Sequence, residues 1–309
     1  MSANTGTHSA DPAGAGTGTG AAIRLVPGTT LPLSGTTLAA GIREQVTARA
    51  AALTAAGTPP KLVVVTATRE ESSAWYVRSI AKAAAKAGIG CDVLDLGPDA
   101  TAAHLTTALT DLGADGSVHG IILQTPLPPG VSAQDAAGAI PAAKDVDGAT
   151  PLSLGRLAAG LSAFAPATAE AVVRLLEFHG VPLSGRRVAV VGRSTVVGKP
   201  AAHLLLDRDA TVTVCHSRTR DLPQVTSEAD VVVAAAGRPG LLTAEYVRAG
   251  AVLVDVGTNP TADGSLVGDV DAASVTGHAG ALSPVPGGVG PVTTALLLEH
   301  TVLAAETAG

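Results

Sequence analysis

The stretch RRVAVVGRSTVVGKP, residues 186–200, decides the fold of the second half of the chain. Its first part, Arg187–Val191, is a short apolar, β-branched run, which is typical of a strand buried in a parallel sheet. A turn with Gly192, Ser194 and Gly198 follows, and AAHLLLD then continues as an amphipathic helix. Because backbone N–H groups at a helix N-terminus attract anions, this turn predicts a site for a phosphate or pyrophosphate. The spacing departs from G-x-G-x-x-G, so a turn without a ligand stays an alternative.

The residues after the next strand, ATVTVCH, indicate which nicotinamide cofactor would bind. An Asp or Glu at this strand end would bond a ribose 2′-hydroxyl. The chain instead has His216, Ser217 and Arg218 there, and Arg193 in the glycine turn. Cations and a hydroxyl suit a 2′-phosphate, so the sequence favours NADP over NAD. Taken one at a time, the arginines are equally consistent with solvated surface charges.

Length and composition place the chain among globular proteins. Its 309 residues suffice for two domains, and 46% are hydrophobic and 15% charged. A net charge of −6 argues against nucleic acid as the main partner, and no apolar run reaches the roughly 20 residues of a membrane helix. Met1–Ala21 is rich in Gly, Ala, Ser and Thr, so we expect a disordered tail and not a signal peptide. Cys91 and Cys215 suit reduced thiols in the cytoplasm, and no Cys/His spacing predicts a metal site.

Strands alternate with helices along the chain, which predicts α/β architecture with parallel sheets. In the second unit four strands are expected, beginning at Arg187, Ala210, Ala229 and Ala251. The segment PAAKDVDGATPLSLGRL, rich in polar and turn residues, is predicted to be a loop. The last helix, VTTALLLEHTVLAAE, is predicted to pack back against the first unit.

Several polar residues follow predicted strand ends in both units. In open α/β sheets, ligands bind beyond the carboxyl ends of the strands. Tyr76, Gln124, Asp147 and the loop Pro284–Pro291 all follow such ends. A cleft between two α/β lobes, with a nicotinamide held on the second, suggests hydride transfer to or from a small organic molecule.

With these residues in place, the sequence resembles the bifunctional methylenetetrahydrofolate dehydrogenase/methenyltetrahydrofolate cyclohydrolases, the FolD type. The resemblance runs from about residue 31 to the last helix. The matching motifs are SSAWYVRS, GIILQTPLP, KDVDG, GRSTVVGKP, HSRT, DVG and PVPGGVGPVT. KDVDG, GRSxxVGxP and PVPGGVGP in this order are highly specific.

The resemblance implies a two-lobed enzyme. Residues 22–160 would form an α/β folate-binding domain, and 161–283 a Rossmann-type NADP-binding domain. Residues 284–309 would form an active-site loop and a helix that returns to the first domain. A homodimer is also implied. The family oxidises 5,10-methylenetetrahydrofolate with NADP⁺ and hydrolyses the resulting methenyl cation to 10-formyltetrahydrofolate.

The same resemblance implies roles for individual residues. Tyr76 would stack on the folate ring system, Asp147 would accept two N–H bonds from the pterin, and Gln124 would position a catalytic lysine. Taken alone, each residue has a structural alternative: Tyr76 as a core aromatic, Asp147 as a turn carboxylate and Gln124 as a polar cap. Further residues implied to contact the folate are Ser73, Pro286, Gly287, Gly288 and Val289. The residues implied to contact NADP are Thr168, Gly192, Arg193, Ser194, Gly198, His216, Ser217, Arg218, Gly257 and Gly290.

One departure from the family pattern concerns catalysis. The family lysine lies one helical turn after the tyrosine, and Ile80 occupies that position here. Arg78 and Lys82 lie roughly 160° away around the helix, and Lys86 also points elsewhere. Isoleucine cannot exchange protons, so we expect the dehydrogenase step to survive and the cyclohydrolase step to be lost or weak.

Smaller departures fall mainly on the folate side. The family's Pro-Cys-Thr-Pro is PATA, residues 166–169, and Ser153 and His300 replace asparagines. Two alternatives stay open: a fully bifunctional enzyme with another proton carrier, and a non-catalytic paralogue that binds folate or NADP.

Overall fold

The structure is a computed structural model that describes residues 22–261 and 263–308. The tail predicted for residues 1–21 lies outside these residues. The helices are Thr36–Ala55 (α1), Glu71–Lys86 (α2), Ala102–Ala114 (α3), Ala133–Ala137 (α4), Pro151–Ala158 (α5), Ala167–Phe178 (α6), Gly198–Leu206 (α7), Leu222–Ser227 (α8), Ala272–Val275 (α9) and Val289–Ala308 (α10). The strands are Leu31–Pro32 (β1), Lys61–Thr66 (β2), Gly90–Asp95 (β3), Gly120–Leu123 (β4), Arg187–Val191 (β5), Thr211–Cys215 (β6), Val231–Ala234 (β7), Val252–Asp255 (β8), Asn259–Pro260 (β9), Leu266–Val267 (β10) and Ala281–Leu282 (β11).

The first lobe contains a parallel sheet in the order β3-β2-β4. Its central strand β2 carries the run Leu62–Val65, which is buried on both faces. A continuous apolar run suits this position because helices cover both faces of a parallel sheet. The predicted α/β architecture of this lobe is confirmed.

The second lobe contains a six-stranded sheet in the order β1-β11-β8-β7-β5-β6, and all its pairings are parallel. The predicted strands β5 to β8 occupy four adjacent positions of this sheet, with β6 at one edge. The outer pair β1 and β11 was not predicted, because two-residue strands carry no periodicity. Leu31 pairs with Ala281, so the start of the described chain completes the second sheet, although the sequence placed residues 22–160 in the first domain.

The prediction of a loop across residues 141–157 is wrong for its second half. Helix α5 begins at Pro151, where the missing N–H costs no hydrogen bond. The Thr150 hydroxyl accepts a hydrogen bond from the Ser153 N–H at 3.1 Å, which caps the helix, and Leu157 is buried on its inner face. Thr-Pro before an apolar residue was therefore a helix start that the turn-rich composition concealed.

Helix α10 is buried along most of its length and packs against both α1 and α6. Arg49 of α1 forms a salt bridge of 2.6 Å with Glu306, and Arg174 of α6 forms one of 3.1 Å with Glu299. The prediction that the last helix returns to the first lobe is confirmed. Leu296 lies in the middle of this contact and has no exposed surface.

We expect Leu296→Ala to lower the free energy of unfolding by about 2–5 kcal/mol, because it leaves a cavity between α10 and its neighbours. Urea denaturation followed by circular dichroism measures this change. Leu152→Ala is the matched control, since Leu152 is 58% exposed and its loss should cost less than about 0.5 kcal/mol. Equal losses in the two variants would contradict the packing described for α10.

Candidate active site

The loop that follows β11 of the second lobe meets the start of α1 of the first lobe. The loop 284–288 follows β11, and the Gly35 N–H donates to the Gly287 carbonyl at 2.9 Å. A Cβ at Gly35 would lie 2.0 Å from the Gly288 carbonyl oxygen, so the two backbones touch. This contact joins the loop of the second lobe to the first lobe. Pro286 is exposed on the loop, and Gly288 and Val289 are buried beneath it.

Tyr76 and Asp147 are the two residues that the family resemblance assigns to the pterin of the folate. Burial raises the pKa of the Tyr76 hydroxyl, and the nearby Asp147 carboxylate raises it further. The Asp147 carboxylate therefore lies within electrostatic range of the Tyr76 hydroxyl, although the two residues are far apart in sequence. The ring of Tyr76 packs on the apolar core with part of its surface exposed. A partly exposed ring within electrostatic range of a carboxylate suits a planar ligand that carries N–H groups.

The Asp147 carboxyl is surrounded by protein even though the residue keeps some exposed surface. Burial raises its pKa to about 7, and repulsion from Asp145 adds to this, whereas His300 and the Ala167 amide oppose it. Asp145 has a structural role, because it accepts hydrogen bonds from the N–H groups of Ala149 at 3.1 Å and Thr150 at 3.0 Å. Of the two carboxylates, Asp147 is the one that acts on the pKa of Tyr76.

Gln124 and Ser73 meet at the end of β4. The Gln124 side-chain amide and the Ser73 hydroxyl both donate to the Thr125 carbonyl, at 2.7 and 3.3 Å. These bonds tie the first turn of α2 to the strand end. The residues that the family resemblance assigns to the folate are thereby held on rigid elements.

Ile80 lies one turn beyond Tyr76 in α2 and has no exposed surface. It belongs to the same apolar cluster against which Tyr76 packs. The basic residues Arg78, Lys82 and Lys86 of this helix are all exposed. Where the resemblance expects an amine, the structure therefore has a closed apolar surface.

The turn after β5 is held by two close backbone contacts. A Cβ at Gly192 would lie 2.0 Å from the Ala235 carbonyl oxygen, and one at Gly198 would lie 2.2 Å from the Gly192 carbonyl oxygen. The Ser194 hydroxyl oxygen accepts from the N–H groups of Val197 at 3.2 Å and Gly198 at 3.4 Å. These N–H groups are therefore partnered, contrary to the expectation that the turn leaves them free. The Ser194 hydroxyl still has its own proton to donate to an anion.

The turn after β6 suits a 2′-phosphate. The His216 N–H donates to the Thr219 hydroxyl at 2.8 Å, and the Arg218 N–H donates to His216 Nδ1 at 3.1 Å. Ser217 and Arg218 are exposed in this turn, and Arg193 is exposed in the turn after the neighbouring strand β5. Residues 216–220 include no carboxylate that would repel a phosphate. The close-packed glycines, the Ser194 hydroxyl and the two exposed arginines together fit a phosphorylated dinucleotide.

Two buried carboxylates shape the neighbouring loops. Asp255 accepts hydrogen bonds of 2.9 Å from the backbone amides of Gly257, Asp269 and Val270. Asp269 accepts from the amides of residues 236, 237 and 238 at 2.6 to 2.9 Å. Gly257 is buried against Asp269, where a Cβ would lie 2.4 Å from its N atom. Burial raises the pKa of Asp255, and the three amide bonds oppose this rise.

The two remaining predicted cofactor residues lie at the starts of helices. Thr168 is partly buried in the first turn of α6, and Gly290 is exposed in the first turn of α10. The structure also contains a group that the sequence analysis missed as a unit: His300 and Glu170, with Arg174 and Glu299. Only His300 had been noticed, as a departure in the last helix.

Comparison with known proteins identifies the family. The model of the tetrahydrofolate dehydrogenase/cyclohydrolase catalytic domain matches residues 33–147, and that of the NAD(P)-binding domain of the same enzymes matches residues 166–309. The chain belongs to this family. It is 64% identical over 277 residues to the bifunctional protein FolD 1 of Saccharopolyspora erythraea, an alignment that covers 90% of this chain and 94% of the relative.

Solved structures agree with the fold. The bifunctional FolD methylenetetrahydrofolate dehydrogenase/cyclohydrolase of Campylobacter jejuni superposes with a TM-score of 0.87 at 39% identity, over 90% of this chain and 99% of the other. FolD of Trypanosoma brucei, complexed with NADP cofactor and an inhibitor, gives 0.86 at 36% identity, over 90% and 98%. The two-lobed α/β architecture with a Rossmann-type second domain is confirmed, and that second domain is an NAD(P)-binding domain.

Two other kinds of feature are absent from residues 22–261 and 263–308. No helix there is both long and apolar enough to cross a membrane. No cluster of three or more His, Cys, Asp or Glu side chains in the same part of the chain is arranged to hold a metal ion.

We expect Gly198→Ala to weaken binding of NADP⁺ at least about tenfold, about 1.4 kcal/mol, because the new Cβ would push the Gly192 backbone out of the turn. Isothermal titration calorimetry measures the dissociation constant. Gly155→Ala is the control, since this glycine is also in a helix but has no atom within 4 Å of the added Cβ. Unchanged affinity in a folded Gly198→Ala variant would show that this turn does not hold the cofactor.

Proposed function

We propose that the protein is an NADP-dependent 5,10-methylenetetrahydrofolate dehydrogenase of one-carbon metabolism. The observation that carries the proposal is the backbone contact of Gly35 with the loop 284–288, which joins the lobe that carries Tyr76 and Asp147 to a dinucleotide site on the other lobe. The preference for NADP rests on Arg193 and Arg218 and on the lack of a carboxylate in residues 216–220. The relative from T. brucei, complexed with NADP, supports it.

In this mechanism the protein contributes positioning. Bound NADP⁺ supplies a hydride acceptor at its nicotinamide ring. The ionised Asp147 accepts N–H bonds from the pterin, and Tyr76 stacks on its plane, so the methylene bridge is held toward the second lobe. The lone pair of a folate nitrogen drives hydride departure, which gives the methenyl cation and NADPH without any proton transfer by the protein. The glycines of loop 284–288 allow close backbone approach.

We further propose that the cyclohydrolase step is weak. Adding water to the methenyl cation and opening the ring needs a group that moves protons, and Ile80 is apolar and fully buried. Relatives of this chain bear the name bifunctional protein FolD, which favours the second candidate, a bifunctional enzyme with another proton carrier. The group in this chain that suits that role is Asp147, because its pKa is raised to about 7 by burial.

We expect Ile80→Lys to raise the rate of methenyltetrahydrofolate hydrolysis about 100-fold or more, because a buried amine with a lowered pKa can carry protons near neutrality. Loss of absorbance of the methenyl cation measures the rate, and NADPH formation measures the dehydrogenase step. Ile80→Met is the matched control, since it changes the packing but adds no amine. Ala85→Lys adds the same charge at an exposed position of α2.

Hydrolysis by the unmodified protein at a rate that Ile80→Lys does not increase would contradict the proposed deficiency and favour the bifunctional candidate. Binding of NADP⁺ and folate with no turnover in either assay would favour a non-catalytic paralogue. The homodimer and the cytoplasmic location stay predictions, and light scattering tests the first of them.

Asp147 also predicts the pH dependence of the dehydrogenase. Only the ionised carboxylate accepts both pterin N–H bonds, and its pKa is about 7 in the free enzyme. We therefore expect kcat/KM to be constant at high pH and to fall about tenfold per unit as the pH drops below 7. Asp147→Asn should have a much lower kcat/KM without this fall. A profile of the unmodified enzyme that is flat from pH 5 to 8 would remove Asp147 from the binding step.

A further inference from the structure

His300, on α10, is almost fully buried and bonds two acceptors. Its Nδ1 lies 2.8 Å from the Val146 carbonyl oxygen, and its Nε2 lies 3.1 Å from Glu170 Oε2. A carbonyl has no proton to give, and neither has an ionised carboxylate. Both ring nitrogens must therefore donate, which makes His300 an imidazolium cation. The ring of Phe164 packs beside it with a centroid separation of 5.0 Å.

Glu170 is ionised in this arrangement. Burial opposes its charge, but the hydrogen bond from His300 and the cations of His300 and Arg174 lower its pKa to about 2. Arg174 lies 2.9 Å from Glu170 and 3.1 Å from Glu299, so it is shared between two carboxylates. The pKa of His300 is raised although burial acts against it, mainly by the bond to Glu170. The imidazolium form of His300 is stable because the Glu170 carboxylate is held beside it as a counter-ion.

The Val146 carbonyl is part of the peptide that joins Val146 to Asp147. The hydrogen bond from His300 therefore fixes the backbone from which the Asp147 side chain projects. The charged groups around the Val146–Asp147 peptide come from three elements: α6, α10 and the loop before α5. They are Asp145, Asp147, Glu170, Arg174, Glu299 and His300. Within this set only His300 and Arg174 are positive, and Arg174 is already shared between Glu170 and Glu299.

We propose that His300 is a positioning residue of the folate site: as a buried cation it anchors the Val146–Asp147 peptide and favours the charged form of the Asp147 carboxylate. The inference rests on the proposed function for the role of Asp147. It explains how a carboxylate that is buried beside Asp145 stays available to accept N–H bonds. Asparagine at this position could make the same backbone contact but would carry no charge.

The test compares the dehydrogenase pH profiles of His300→Asn, Glu170→Gln and the unmodified enzyme. Loss of the cation should move the fall in kcat/KM up by about one pH unit, an about tenfold loss at pH 6 that shrinks to less than about twofold at pH 9. The kcat at saturating folate should change little. Glu170→Gln removes the counter-ion of His300 and leaves the histidine itself in place. It should therefore shift the fall in kcat/KM in the same direction.

His278→Asn is the matched control. His278 Nε2 also bonds a backbone carbonyl, that of Val247 at 2.8 Å, but His278 precedes β11 at the opposite end of the sheet. Its profile should coincide with that of the unmodified enzyme. A loss of kcat/KM in His300→Asn that is equal at pH 6 and pH 9 would reduce His300 to a structural residue and overturn the proposal.

Nuclear magnetic resonance provides a readout that needs no substrate. The ¹⁵N shifts of His300 should be those of an imidazolium at pH 7, and the ¹³C-carboxyl titration of Asp147 should move up by about one unit in His300→Asn. A neutral His300 at pH 7, or an unmoved Asp147 titration, would overturn the inference. Absence of turnover in the unmodified enzyme together with the expected shifts would instead refute the proposed function and leave the electrostatic coupling intact.

Discussion

The burial of α10 is the constraint on which the rest of the structure depends. This helix is apolar around most of its circumference, so it has to be covered on several sides at once. Helix α1 covers it from the first lobe and α6 covers it from the connection to the second. Because α10 starts directly after loop 284–288, the position of that loop is set by the packing of the helix. The packing of α10 thus fixes the relative position of the two lobes. It also fixes the backbone of loop 284–288, which faces both predicted ligands.

The same helix carries charge into the interior. His300 and Glu299 are buried in the second half of α10 and pair with Glu170 and Arg174 on α6. Buried ions are expensive to desolvate, and this set is tolerated because each cation lies beside a carboxylate. Replacing such a group with hydrocarbons is often neutral for stability, so its presence calls for another explanation. Control of the Asp147 carboxylate is the explanation that the geometry offers.

Most of the fold could be predicted from local patterns in the sequence. The strands at residues 61, 187 and 231 are continuous apolar runs, and Gly88 ends α2 with a positive φ of 75°. The pattern failed where structure is set by partners distant in sequence. Strands β1 and β11 exist only because they pair with each other and with β8, and two residues carry no period. The start of α5 was hidden because Thr, Pro and Gly indicate turns as readily as helix starts.

The candidate site was predictable in its parts, but its electrostatics were not. Tyr76, Gln124, Asp147 and the glycine turn were each found from motifs. Glu170 and His300 lie 130 residues apart, and neither belongs to a local pattern. Nothing in the sequence indicated that a histidine in an apolar helix would be charged, since that follows from its two acceptors. The partnered N–H groups at the start of α7 were missed for a related reason, because the rotamer of Ser194 is a property of the folded turn.

The proposed difference between the dehydrogenase and cyclohydrolase steps would follow from what each step requires of the protein. Hydride transfer needs two planes held at a fixed separation, and rigid elements supply that whether or not a proton carrier is present. Hydrolysis needs a group that alternates between a charged and a neutral form. The charged form has to be stabilised by water or by a counter-ion. Ile80 extends the apolar core up to Tyr76, which strengthens the packing that positions the ring and removes the site where an amine would work. In the proposed function the titratable group of the folate site is Asp147, and His300 on α10 acts on its ionisation.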